Sequence, residues 1–212
     1  IDVNTVGAAE YVLKSKPKND VGVAYSFCMC PGGVLVPCAT EPGELATNGM
    51  SYSRRSAPFG NSGIIVQVQP QNDDIFWGIN YQREIERRAF EVGGGDYTAP
   101  AQRIGDFLDD RVSASLPKSS YPCGLKSFGM LDLFPDEITT ALKFGMEEFE
   151  TKMPGFIQNG IMVSPETRTS SPIRVVRNEE TMESTNIKGI FPLGEGAGYS
   201  GGIISSAADG VR

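Results

Sequence analysis

Glycine placement sets the limits on the regular elements of this chain. Of its 212 residues 25 are glycine, gathered at Gly32-Gly33, at Gly93 to Gly95 and between Gly194 and Gly202. Glycine adopts backbone conformations closed to other residues and weakens the interior of a helix or strand, so such clusters mark turns or places where backbone approaches a ligand. Elements have to fit between them. Ahead of the second cluster, short runs read as strands: Val21 to Cys30, Val34 to Ala39, Leu45 to Tyr52 and Gly63 to Gln69, with Pro31-Gly32-Gly33 as a tight turn after the first. This region is expected to be β-rich and antiparallel.

The period then changes. From Asn80 to Val92 the apolar residues Tyr81, Ile85, Ala89 and Val92 recur at three to four residues, Glu84 faces Arg88 one turn on, and the glycines from Gly93 end the run, which predicts a helix. A second helix is expected from Pro135, with Asp136 and Glu137 in its first turn, a stripe of Ile138, Leu142, Met146 and Phe149, and Pro154-Gly155 as its stop. Strand-like residues return at Ile161 to Val163, Thr167 to Val176 and Ile187 to Leu193. No repeat is visible.

Composition removes several kinds of chemistry. The net charge is −7, and the basic run Arg83 to Arg88 is interleaved with Glu84 and Glu86, so a nucleic-acid partner is not expected. No apolar stretch approaches the roughly 20 residues that cross a bilayer, and Ile1 to Glu10 lacks the pattern of a leader, so the chain is expected to be soluble and cytoplasmic with no membrane partner. The four cysteines are expected as reduced thiols, because the sequence carries no secreted disulfide framework. With no histidine, imidazole metal sites and the Ser-His-Asp and Cys-His systems are absent, along with the usual near-neutral base. Chemistry falls to carboxylates, Tyr, Lys, Cys or a bound cofactor, and no metal site is expected.

The most informative segment runs from Ile190 to Gly210. An apolar strand leads through Gly194, Glu195, Gly196, Ala197, Gly198, Tyr199, Ser200, Gly201 and Gly202 into a small-residue helix beginning at Ile203. Gly196, Gly198 and Gly201 have the spacing G-x-G-x-x-G, which leaves backbone N–H groups open at a helix N-terminus, where an anion or electron-rich carbonyl can sit. A first-strand dinucleotide fingerprint needs a ribose-binding acid about 20 residues downstream, and only 11 residues follow Gly201. Two readings stay open: a ligand turn, or glycines that let a helix pack closely on a strand.

Five blocks together carry a resemblance: Tyr25 to Gly33, Asn48 to Tyr52, Gln82 to Ala89, Glu166 to Pro172, and Gly194 to Tyr199. They resemble the uncharacterised FAD-dependent dehydrogenases of bacteria and plastids, which are distantly similar to the two-dinucleotide-binding-domain oxidoreductases. The resemblance runs over essentially the whole chain in the family's order. It implies an N-terminal FAD-binding βαβ unit preceding Ile1, so the chain is expected to be a C-terminal fragment. It implies an α+β fold: a β-rich substrate-side domain with two main helices over 1–165, then over 166–212 the returning strand and helix of a Rossmann-like FAD-binding domain.

What the resemblance implies for individual residues follows the same line. The turn from Gly194 to Ile203 would lie along the ribityl chain and flavin ring, its helix aimed at the N1–C2=O edge, where positive partial charge and N–H donors stabilise reduced flavin. Glu195 would bond a ribityl hydroxyl, or else be a solvated turn carboxylate; Tyr199 is the tyrosine placed nearest the cofactor. Thr167 to Ser171 is an oddly polar strand, so Arg168 with Thr169 and Ser170 would face the cofactor, Arg168 also being a substrate-side candidate or a surface ion pair. Arg174 and Arg177 receive no role. Cys28 and Cys30, two apart on one strand face, are buried hydrophobes, thiols facing flavin or substrate, or metal ligands.

The resulting expectation is part of an FAD-dependent oxidoreductase, moving a hydride between flavin and a small organic substrate or NAD(P)H, with no catalytic residue named. The alternative is a non-catalytic binding or scaffold domain that does not retain FAD on its own.

Overall fold

The computed structural model describes residues 12–17 and 21–212. The stretch Ile1 to Glu10, read above for a leader, lies outside them. Two compact units divide the described chain: one runs to Gln69 and resumes at Ile85–Glu166, and the other comprises Pro70–Glu84 with Thr167–Arg212. Helix α1, Trp77–Gly93, belongs to the second unit through Glu84 and to the first from Ile85.

The first unit is α+β, with two three-stranded sheets. In one, β1 (Ala24–Pro37) lies between β2 (Thr47–Ser51) and β3 (Phe59–Val66), both antiparallel to it. The expected turn at Pro31-Gly32-Gly33 does not occur, and β1 continues through it. Pairing on both sides holds the strand extended, and the surplus residues enter as register shifts between Phe27 and Cys30 and between Cys30 and Gly33. Gly32, at φ +54°, serves this irregularity and a close-lying loop, since a Cβ there would come within 1.9 Å of the Arg55 carbonyl oxygen. The same bulge breaks the period of two: Cys28, at φ +50°, is exposed while Cys30 is buried, so the two thiols do not share one environment.

The second sheet places β4 (Ala99–Arg103) between β5 (Leu125–Ser127), parallel to it, and β6 (Ile161–Val163), antiparallel. Sequence reading missed β4, whose residues lack strand propensity. Tertiary bonds hold it: buried Gln102 donates to the Arg111 carbonyl at 2.7 Å and accepts from the Met130 N–H at 2.7 Å. Short helices α2 (Ile104–Leu108) and α3 (Met130–Leu133) follow β4 and β5.

Helix α4 (Asp136–Lys152) buries Leu142, Met146 and Phe149 as its stripe predicts, with Ile138 partly buried. Pro135 caps it from outside rather than opening it, and Asp136, Glu137 and Lys152 stand at the ends the dipole favours. Gly145 lets the helix meet β1 closely, a Cβ there falling 2.5 Å from that of Ala24. Glu150 then accepts from the N–H groups of Gly155 and Ile157 at 2.8 and 2.7 Å, which starts α5 (Phe156–Asn159) and holds that carboxyl below its usual range. The main core gathers Leu45, Ala89, Ile104, Phe107, Met130, Leu142 and Met146.

In the second unit the expected strands at Thr167 to Val176 and Ile187 to Leu193 are not formed, and an isolated bridge, Arg177 to Ser184, stands in their place. Side chains take the bonds a ladder would use. The Gln82 amide donates to the Thr167 carbonyl at 2.7 Å, Asn178 accepts from the N–H groups of Glu180 and Thr181, and the Ser171 hydroxyl bonds Ile173. Helix α6 (Ile203–Val211) forms as expected and buries none of its residues.

Candidate functional site

The glycine turn is built from two sides. Gly198 N–H donates to the Glu195 carbonyl at 2.9 Å and Tyr199 N–H to that of Gly194 at 3.0 Å, which folds 194–199 on itself. From behind, Val175 N–H donates to the Ala197 carbonyl at 3.1 Å and Arg174 Nε to that of Gly198 at 3.0 Å. Gly198 makes this approach possible: it sits at φ +81°, and a Cβ would meet the Ile173 carbonyl oxygen at 2.5 Å.

Arg177 and Asp209 lock the turn to α6. The guanidinium reaches both carboxylate oxygens, at 2.6 and 2.9 Å, and the Pro192 carbonyl at 2.7 Å, while Asp209 also accepts from Gly194 N–H at 2.9 Å. The hydrogen-bonded Arg177, followed by the Gly194 N–H, holds the Asp209 carboxyl down at about 2. Bidentate pairing of this kind fixes orientation as well as charge. The Arg177 guanidinium also lies 3.7 Å from the Tyr199 ring centre, with Arg174 at 5.1 Å, and the Tyr199 hydroxyl donates to the Val175 carbonyl at 3.0 Å. The two arginines given no role by the sequence thus hold the turn. Their partners lie up to 32 residues away, beyond any local pattern.

The remaining turn residues face outward. A Cβ on Gly196 or Gly201 would have nothing within 4 Å, so packing among the described residues does not explain glycine at either position. Gly202 is the N-cap of α6 without a side-chain cap, leaving the amides from Ile203 without a side-chain acceptor there. Ser200 and Ser206 share a hydroxyl hydrogen bond of 2.6 Å, and Glu195 is half-buried. Arg168, Thr169 and Ser170 lie in the irregular stretch at the start of this unit's second segment, Arg168 and Thr169 half-buried and Ser170 exposed; the residues closing on the turn are Ile173, Arg174, Val175 and Arg177.

A second polar feature, in the first unit, was not foreseen. The Glu166 carboxyl lies flat on Gly63 of β3, whose Cβ would stand 2.7 Å from Oε2. Burial pushes this acid up to about 7. Sequence reading had noted only that histidine is absent; the tertiary structure supplies a near-neutral acid without it.

Residues 2–169 match the family described as FAD-dependent protein, C-terminal domain-like. The chain belongs to this family. The matched stretch contains Cys28, Cys30, Glu166, Arg168 and Thr169, and the glycine turn follows it. A relative from Clostridium beijerinckii, named only as an uncharacterized protein, is 43% identical over 211 residues, covering 97% of this chain and 39% of that protein. The chain therefore spans well under half the length of the relative it matches.

Proposed function

We propose that the chain is the C-terminal portion of an FAD-dependent oxidoreductase that exchanges a hydride with a small organic substrate or NAD(P)H. Membership of an FAD-dependent family carries this reading. The turn supports this reading: Gly196 and Gly201 present bare backbone to open space beside a helix N-terminus without a side-chain cap, an arrangement suited to an electron-rich ring edge. FAD, when bound, supplies the two-electron redox chemistry. Backbone from Gly196 to Ile203 would hold it, Glu195 would accept a ribityl hydroxyl bond, and the Arg177–Asp209 pair, through Gly194 and Tyr199, would keep the turn in position.

The test is a visible absorption spectrum of the protein expressed from its complete reading frame, followed by heat release of the chromophore. A flavin spectrum with FAD in the supernatant is expected. A colourless protein that takes up no added FAD would refute the reading and leave a non-catalytic binding or scaffold domain. Among the described residues no helix is long and apolar enough to cross a membrane.

A further inference from the structure

Helix α6 is built inside out. At about 100° per residue, Ser205, Ser206, Asp209 and Gly210 fall on one side of it and Ile203, Ile204, Ala207, Ala208 and Val211 on the other. A surface helix ordinarily turns its apolar side to the core of its own unit. This one turns its polar side inward. Its two half-buried residues are Ser206, whose hydroxyl shares the 2.6 Å hydrogen bond with Ser200, and Asp209, which takes the Arg177 guanidinium and the Gly194 N–H.

The apolar side is left in water. Ile203 is 83% exposed, Ile204 82% and Val211 89%, and Ala207 and Ala208 are exposed between them. Leu193 extends this surface, because its Cδ1 lies 3.6 Å from where a Cβ on Gly210 would stand, and it too is exposed. Ile187, Ile190 and Phe191, just ahead in the chain, are exposed as well. Rolling the helix to bury its aliphatic residues against its own unit would break both the Arg177–Asp209 pair and the Ser200–Ser206 bond. The geometry therefore holds the apolar side outward. A nine-residue helix has little stability of its own in water and depends on packing of its apolar side.

Contiguous exposed apolar surface of this kind marks an interface. Ile203, Ile204, Ala207, Ala208, Val211 and Leu193 include no charged residue, which is the composition of a permanently buried contact rather than of the polar rim of a transient one. The Clostridium beijerinckii relative shows where such a cover comes from: 97% of this chain aligns with only 39% of that protein, so more than half of the related polypeptide lies outside the match.

We propose that the apolar side of α6, together with Leu193, is an internal interface of the complete polypeptide, covered by an uncharged apolar surface of the part that lies outside this chain. One helix then carries a docking side and, back to back with it, the Ser206 and Asp209 that grip the glycine turn, so that docking fixes the turn relative to the rest of the protein. The interface itself does not depend on the flavoprotein reading; that docking also positions a cofactor does.

Wild-type protein from the complete reading frame is exposed to hydroxyl radicals, natively and after unfolding in urea, and side-chain oxidation is located by mass spectrometry. Ile203, Ile204 and Val211 should lose their oxidation in the native state. Oxidation of these three as extensive natively as in urea overturns the proposal. What covers them is read by placing a photoreactive benzophenone side chain at position 205, which borders the apolar side, with circular dichroism as the check on folding. The expected product has the mass of a single chain on a denaturing gel and joins position 205 to a peptide outside this sequence. A product of twice that mass, which would mean a second copy, a link to residues within 21–166, or no link in folded protein overturns the proposal. Flavin content is measured on the same wild-type sample: protection in a colourless protein removes the flavoprotein reading and leaves the interface, whereas full oxidation in a flavin-bearing protein removes the interface alone.

Discussion

A methyl group added at Gly198 should pry the glycine turn from the segment behind it, whereas the same change two residues earlier should be harmless. Gly198 sits at φ +81°, a conformation that costs a residue bearing Cβ about 1–2 kcal/mol. The new Cβ would also stand 2.5 Å from the Ile173 carbonyl oxygen and 3.0 Å from Arg174 Cα, so backbone must move. The bond from Val175 N–H to the Ala197 carbonyl, 3.1 Å long, crosses the same gap, and its loss adds about 1 kcal/mol. Gly198→Ala should therefore cost about 2–3 kcal/mol in all. Gly196 lies outside the left-handed region with nothing within 4 Å of a Cβ, so Gly196→Ala should stay within about 0.5 kcal/mol. The single tryptophan, Trp77, lies in the same unit, stacked on Tyr81 at 4.9 Å, and its fluorescence during urea unfolding reports on that unit. With an m-value of about 1–3 kcal/mol/M, the midpoint of Gly198→Ala should drop by about 0.7–3 M. Equal midpoints for the two variants would refute the packing account of the turn.

Gly196→Val is expected to abolish flavin retention in the protein from its complete reading frame while melting at the temperature of flavin-stripped wild type; undiminished flavin content would remove the turn from the cofactor site. Phe149 is fully buried, edge-on to Phe156 at 5.7 Å, so Phe149→Ala should cost about 3–5 kcal/mol in urea unfolding followed at 222 nm. A loss below about 1 kcal/mol would mean that this ring is not core. Asp209 titrates at about 2 in the fold against about 4 in an unfolded chain, so its stabilising effect is whole above pH 4 and drains as pH falls toward 2. Wild type should lose Trp77-monitored thermal stability across that window, while Asp209→Asn should be less stable at pH 7 and show a flatter acid limb. Parallel limbs would show that the Arg177 pair is not what acid breaks.

Legibility followed the range of the interactions concerned. Helix α4 was readable because Ile138, Leu142, Met146 and Phe149 repeat within one element, and α1 because its apolar period ends on glycines whose φ values, +128° at Gly94 and +77° at Gly95, only glycine adopts easily. Pro31-Gly32-Gly33 carries the signature of a turn, yet pairing to β2 and β3 on both sides turned it into a bulge. The polar run after Glu166 looked strand-like but found side-chain partners instead of a neighbouring strand. In the turn, the glycines were visible and their division of labour was not: Gly198 is required by Ile173, whereas a Cβ on Gly196 or Gly201 would meet nothing within 4 Å among the described residues.

By itself the sequence determined which chemistries were closed, because no histidine is present, and where the amphipathic helices run, because helical period is a local property. Five blocks of residues also pointed to an FAD-dependent family, whose domain matches residues 2–169. Only the tertiary structure decided that Arg177 grips Asp209 from 32 residues away. It alone laid Glu166 on Gly63, more than a hundred positions apart in the chain, and so made a near-neutral acid of an ordinary carboxyl. The physical reason is that hydration and charge partners set a side chain's acidity, and those depend on what the folded backbone brings beside it.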